Sequence, residues 1–172
     1  MRLAFCLADQ LDAPALAALH NAVADDLTQR YGHGPWSVRA TEKGVLFGLR
    51  HTHIVVAKKG ARIVGTLNLQ TKKPWAIDVS YFAAVKKAIY LTNMAVVPEL
   101  QRKGIGTALL EEAAKRVRAW PADAIRLDAF DAAPGAGSFY LRCGFGEVGR
   151  VVYRKAPLIY LEQVLSTEEP KS

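Results

Sequence analysis

Apolar and polar residues alternate with different periods along the chain, and each change of period marks an element. Residues 2–7 are a short apolar run that predicts a first strand. After Asp12-Ala-Pro, Leu16, Leu19, Ala22, Val23 and Leu27 recur at spacings of three and four, which predicts an amphipathic helix stopped by Gly32-His33-Gly34-Pro35. A weaker helical pattern covers residues 41–49. Residues 53–58 and 62–70 are β-rich and are joined by Lys59-Gly60-Ala61, a hairpin signal. Residues 90–97 predict another strand, closed by Pro98. The clearest helix covers residues 104–120, where Ile105, Leu109, Ala113 and Val117 fall on one face and Pro121 follows. Residues 125–130 predict a strand, 137–142 a short helix, and 148–153 and 158–164 two closing strands, the last a candidate edge for a second subunit to share. Residues 166–172 are polar and read as a frayed tail.

This order predicts an α/β (α+β) fold: a mixed, mostly antiparallel twisted sheet of roughly six to seven strands with one parallel crossover and about four helices on its faces. No repeat or linker divides the chain, so residues 1–165 read as one domain. Of the 172 residues, 51% are apolar and 23% charged, which excludes a disordered protein. The chain has no apolar run of membrane-spanning length and no leader-like segment, since Asp9 ends the first apolar run. Cys6 and Cys143 form no CxxC pair and define no disulfide framework, so the expected location is the reducing cytoplasm. A net charge of +7 points to an anionic ligand.

One loop suits such a ligand. The strand over residues 90–97 runs through Pro98-Glu99-Leu100 into Gln101-Arg102-Lys103-Gly104-Ile105-Gly106-Thr107 and on into the long helix. Glycines one residue apart at a helix start allow close backbone approach, and the unpaired N–H groups and positive dipole end then face the ligand. Leu109 stands where a dinucleotide fingerprint needs Gly or Ala, and Lys103 precedes its glycine, unlike a Walker lysine.

The Gln/Arg-x-x-Gly-x-Gly spacing of residues 101–106 resembles the signature of the GCN5-related N-acetyltransferases (GNAT). Ser138-Phe139-Tyr140-Leu141-Arg142-Cys143-Gly144-Phe145 is similar to that family's Phe/Leu-Tyr-x-x-x-Gly-Phe segment. The resemblance is strong over residues 90–145. It departs at Ala133, seven residues before Tyr140, where many members carry Asn.

The resemblance implies acetyl-CoA as co-substrate, no metal, and a small-molecule or peptide amine as acceptor, acetylated by direct attack on the thioester. It implies that main-chain groups of Met94, Ala95 and Val96 hold the pantetheine arm and acetyl oxygen. Gln101, Arg102, Lys103, Gly104, Ile105, Gly106 and Thr107 would hold the pyrophosphate, and Tyr140 would act as general acid on the departing thiolate. The reference acidity of a phenol, near pKa 10, keeps it protonated at neutral pH. Arg142 is a candidate for a further phosphate contact.

No general base is singled out: Asp25, Asp26, Glu42 and Asp78 are candidates, Asp78 also reading as a turn or cap residue. Trp75, Tyr81 and Phe82 are candidates for a pocket wall or for packing under a loop. His51-x-His53 lacks nearby partners for a metal, and Cys143 reads as a small buried residue.

Three other functions compete: a basic nucleic-acid-binding module, an acetyltransferase acting on charged tRNA, and an acyl-CoA sensor. The basic residues are scattered in pairs such as Lys58-Lys59 and Lys86-Lys87, without a recognition signature, which disfavours nucleic acid as partner. No membrane partner is expected, and the chain reads as a monomer or homodimer. The positive charge also disfavours polycationic acceptors and favours neutral or anionic amines.

Overall fold

The computed structural model describes residues 1–165; the polar tail expected over 166–172 lies outside the described residues. The strands are β1 (Ala4–Leu7), β2 (His53–Lys59), β3 (Arg62–Gln70), β4 (Ala88–Val96), β5 (Ala124–Phe130), β6 (Gly146–Tyr153) and β7 (Ala156–Val164). The α-helices are α1 (Ala13–Tyr31), α2 (Glu42–His51), α3 (Ile105–Ala119) and α4 (Gly137–Arg142). They form a seven-stranded sheet in the order β1-β2-β3-β4-β5-β7-β6. β4 and β5 are parallel, and the β1–β2, β2–β3, β5–β7 and β6–β7 pairs are antiparallel. The mixed, mostly antiparallel sheet with four helices is the one the sequence pattern predicts. β7, expected at an edge, instead lies between β5 and β6 and pairs with both, so it offers no free edge to a second subunit. Its apolar run Leu158–Leu161 is buried throughout, as an interior strand requires. Among the described residues no helix is long and apolar enough to cross a membrane.

The chain forms two compact units, one of Met1–Gln70 with Leu91–Glu112, the other of Thr71–Tyr90 with the chain from Ala113 onward. In the first, Ala13, Leu16, Ala17 and Ala24 give α1 its buried side, while Ala22 is exposed: the stripe follows i, i+3, i+4 from Ala13 and takes in His20. Burial lowers the His20 pKa from its ordinary 6.5, which favours the neutral ring. Helix α1 ends where Gly32 turns left-handed and its N–H reaches the carbonyl of Thr28. Val55, Val56, Val64, Leu67 and Leu69 of the β2–β3 hairpin are fully buried. A Cβ on Gly65 would lie 2.8 Å from Leu109 Cδ1 and 3.1 Å from Ile105 Cγ2, so this glycine sets how closely α3 approaches β3.

In the second unit, Ile77, Phe82, Tyr90 and Tyr160 form a core cluster with Ala88, Val148 and Val151 packed against it. Beside it lies a buried ion pair. Arg126 Nε donates to Glu162 Oε2 at 2.8 Å, Arg126 Nη2 donates to the Ala83 carbonyl at 2.6 Å, and the Ala83 N–H donates to Glu162 Oε1 at 3.0 Å. The pair therefore holds the backbone of the β3–β4 connection by both its N–H and its C=O.

Candidate active site

The glycine-bearing loop is built from β4 outward. Asn93, an exposed residue inside β4, takes φ +51, a left-handed turn that Asn tolerates and that breaks the strand's alternation as a bulge does. Met94, Ala95 and Val96 follow directly; Ala95 is buried and its two neighbours half-buried. The Val97 N–H donates to the Val64 carbonyl at 3.0 Å, and Pro98–Leu100 make a single 3-10 turn. Gln101 Nε2 then donates back to the Val96 carbonyl at 3.0 Å. Glu99 is paired with Arg62, whose hydrogen bond holds its carboxyl below the usual carboxylate range.

From there the chain turns left-handed at Arg102 (φ +60) and again at Gly104 (φ +88), and α3 begins at Ile105. Two left-handed residues in so short a stretch bend the main chain into the kind of N–H-lined concavity that binds anions. Arg102, Lys103, Gly104 and Thr107 are exposed, Gly106 is half-buried, and Ile105 is 1% exposed and anchors the first turn of α3 in the core. Gly104 has open space where a Cβ would be, so it is required by its φ and not by crowding. The loop thus joins exposed cations, a helix N-terminus of a fifteen-residue helix and a nest-like backbone at one place.

In the second unit α4 carries Tyr140. Its ring is buried and stands edge-on to Phe139 (5.3 Å between centroids) and Phe145 (5.6 Å). The spacing of the Phe-Tyr-x-x-x-Gly-Phe segment has a local cause. Gly144 takes φ +95 to end α4, and this turns the chain back so that the Phe145 N–H donates to the Tyr140 carbonyl at 3.1 Å. Burial first, and then the nearby Asp128 and Cys143, push the Tyr140 hydroxyl well above its ordinary pKa of 10. It is a phenol at any physiological pH, a proton donor and not a base.

Asp128 went unremarked in the sequence. It sits on β5 directly across from Tyr160 on β7, two residues beyond the Arg126–Glu162 pair in the same register. Residues two apart on a strand share a face, so all four side chains project to one side. Asp128 is half-buried, and desolvation raises its carboxyl above the ordinary value. Its charge acts on both the Tyr140 and the Tyr160 hydroxyl. Tyr160 in turn donates to the Ala76 carbonyl, accepts from the Asp78 N–H at 3.2 Å and meets the edge of Tyr81 at 5.4 Å between centroids. The signal was present in the sequence as charged residues two apart in an otherwise apolar strand, Ile125-Arg126-Leu127-Asp128-Ala129-Phe130.

The other candidates separate. Asp25 pairs with Arg39 and Asp26 with Arg30, and Glu42 lies in the first turn of α2. Asp78 caps a 3-10 turn by accepting from the Ser80 N–H and Oγ, which lowers its pKa and makes it a weak base. Phe82 belongs to the core, Trp75 is 83% exposed, and Tyr81 covers Gly149, where a Cβ would lie 2.3 Å from the ring. Cys143 is half-buried, not buried as expected, because it lies at the end of α4. Arg142 is exposed, as is Ala133 in the connection before α4. That connection is tight: a Cβ on Gly135 would lie 1.8 Å from the Phe130 carbonyl oxygen. Among the described residues no group of three or more His, Cys, Asp or Glu is disposed to hold a metal.

Residues 16–145 match the model of the acetyltransferase (GNAT) family. The fold is similar to an N-acetyltransferase from Staphylococcus aureus (16% identity, TM-score 0.71, covering 96% of this chain and 100% of that one). It is also similar to the PaiA N-acetyltransferase of Thermoplasma acidophilum in complex with coenzyme A (15%, 0.72, 96% and 100%). A third similar structure is the ribosomal-protein-S18-alanine N-acetyltransferase of Escherichia coli (16%, 0.70, 99% and 100%). No curated protein sequence matches the chain.

Proposed function

Because the chain belongs to the GNAT acetyltransferase family, we propose that it transfers the acetyl group of acetyl-CoA to a primary amine by direct attack on the thioester. The observation that carries this reading is the loop of residues 101–107, with left-handed backbone at Arg102 and Gly104, exposed Arg102 and Lys103, and α3 beginning at once. A pyrophosphate presents the charge that such main-chain N–H groups and cations receive. Gln101, Arg102, Lys103, Gly104, Ile105, Gly106 and Thr107 form that site, and the main chain of Met94, Ala95 and Val96 receives the pantetheine arm and the acetyl oxygen. Coenzyme A in the Thermoplasma enzyme supports the same donor here.

Tyr140 is the general acid. The amine nitrogen forms the C–N bond as the C–S bond breaks, the thiolate takes the phenol proton, and the proton that the nitrogen sheds to water is regained from water by the phenolate. Burial keeps the Tyr140 phenol protonated at neutral pH, so a proton is present beside the departing sulfur. The acceptor is a neutral or anionic small-molecule or peptide amine, since a net charge of +7 repels polycations. The wide separation of Cys6 and Cys143 in the sequence supports a reducing cytoplasm as the setting.

The test is a thermal titration with acetyl-CoA followed by thiol release across an amine panel, for the wild type and Tyr140→Phe. The reading expects a melting temperature that rises with acetyl-CoA in both proteins. It also expects a several-fold or greater loss of kcat in the variant alone. An unchanged melting temperature at millimolar acetyl-CoA defeats the donor assignment, and equal turnover defeats the role of Tyr140.

A further inference from the structure

The chain leaves β5 at Asp131 and rejoins the sheet at the start of β6, and the excursion between them carries α4 and Tyr140. One side chain joins the two ends of this excursion. Arg150 Nη1 donates to Asp131 Oδ1 at 2.8 Å and Oδ2 at 2.9 Å, and Arg150 Nε donates to Glu147 Oε1 at 2.5 Å. Asp131 is the first residue past β5, and its N–H donates to the Pro157 carbonyl of β7 at 2.9 Å. Glu147 is the second residue of β6. Within the excursion the rings of Phe139 and Phe145 stand edge-on to Tyr140 and order it internally.

A β-bulge makes the double contact possible. Residues three apart on a regular strand point to opposite faces, as Glu147 and Arg150 otherwise would. The register of β6 on β7 shifts between Glu147 and Gly149, so that Glu147 stands opposite Leu161 and Arg150 opposite Ile159. Leu161 and Ile159 share a face, and the side chains directly opposite them share it too. Val148, the residue left over, packs on the other face against the cluster that holds Tyr160. The Ile159 face is the one on which α4 lies, since a Cβ on Gly137 would come 3.3 Å from Ile159 Cγ2.

We infer that Arg150 is a positioning residue for Tyr140, a clasp that closes the base of the α4 excursion from both ends. The inference rests on the acetyl-transfer reading. An isolated exposed ion pair does little, but one guanidinium shared by two carboxylates is a network of fixed geometry. Transfer of the phenol proton depends on its distance from the sulfur. A looser excursion therefore lowers turnover without weakening acetyl-CoA, whose proposed contacts lie in β4 and the loop after it.

Arg150→Gln tests the clasp. Its kcat falls about five-fold, while the Kd of acetyl-CoA and the urea midpoint stay close to those of the wild type. In a Tyr140→Phe background the same substitution leaves kcat unchanged, because no phenol remains to be positioned. A residue that served stability alone would slow both backgrounds alike. Cys143, at the end of α4, gives a readout independent of turnover. In Cys6→Ser protein its thiol reacts several-fold faster with a chromogenic disulfide reagent once Arg150 is replaced. Arg150→Lys recovers part of the rate, since an ammonium lacks the fork that reaches both carboxylates. Asp131→Asn repeats the pattern, and about 1 M salt lowers kcat more in the wild type than in Arg150→Gln.

An unchanged kcat in Arg150→Gln, or an equal loss in the Tyr140→Phe background, overturns the positioning role. Unchanged labelling of Cys143 overturns the clasp itself. Both failures occur in a chain whose wild type turns over normally. If the wild type releases no coenzyme A with any amine, the acetyl-transfer reading fails and takes the positioning role with it.

Discussion

The side-chain amide of Gln101 donates to the main-chain carbonyl of Val96 at 3.0 Å, tying the start of the glycine-bearing loop to the strand residue five places before it. This bond sets where the loop leaves β4, and so where Arg102 and Gly104 turn. Gln101→Ala removes one hydrogen bond of about 1 kcal/mol. Acetyl-CoA affinity should weaken about five-fold with kcat little changed, as isothermal titration and steady-state kinetics would show. Equal affinity would mean that the loop holds its course without this bond.

Gly104 and Gly65 should fail for different reasons. At Gly104 the backbone is left-handed at φ +88 with open space around it, so Gly104→Ala costs about 1–2 kcal/mol of backbone strain. At Gly65 the backbone is ordinary, but an added methyl meets Leu109 and Ile105, which are 0% and 1% exposed and have little room to yield. Gly65→Ala should cost about 1–3 kcal/mol by overpacking. Urea unfolding of both variants separates the two causes when Leu109→Ala is added: it relieves the second and not the first.

The Arg126–Glu162 pair predicts an asymmetry between single and double substitution. Its side chains are 8% and 4% exposed, so Arg126→Met leaves a buried carboxylate without its partner and should cost about 3–5 kcal/mol. Arg126→Met/Glu162→Leu leaves no buried charge and should be markedly more stable than the single variant. Denaturant unfolding of the three proteins measures this, and equal stabilities of single and double variants would contradict it.

Asp128 makes stability depend on pH in a definite direction. Burial holds its carboxyl above the ordinary value of 3.8, so the folded chain binds that proton more tightly than the unfolded chain. Its contribution is complete below the unfolded value and is lost as pH rises through the folded one. Asp128→Asn should therefore be at least as stable as the wild type at neutral pH, with the advantage fading toward pH 4. A neutral-pH loss of stability in the variant would show that the carboxylate has a structural partner.

Local rules located nearly every element, because the hydrophobic period switches cleanly between strands and helices and Gly or Pro marks the breaks. Ile105, Leu109, Ala113 and Val117 are all buried along one face of α3, as their spacing predicts. The glycine loop was legible for the same reason, since its chemistry lies in consecutive residues. What escaped depends on register between distant segments. Asp128 meets Tyr160, and Arg126 meets Glu162, only once β7 is inserted beside β5, and that strand order put an expected edge strand in the interior. The left-handed Asn93 escaped because the side chains around it read as an uninterrupted strand. Asp78 was visible as a candidate base and proved to be a cap, a distinction that rests on the direction of one side chain.

The proposed reaction is the transfer of an acetyl group from acetyl-CoA to an amine. Its most direct measurement is mass spectrometry of a panel of neutral, anionic and polycationic amines after incubation with acetyl-CoA and the full chain, with released thiol counted in parallel. The predicted result is a singly acetylated neutral or anionic amine, formed in proportion to thiol and strongly reduced in Tyr140→Phe. Thiol release without an acetylated amine, or neither product from a chain that binds acetyl-CoA, would contradict it.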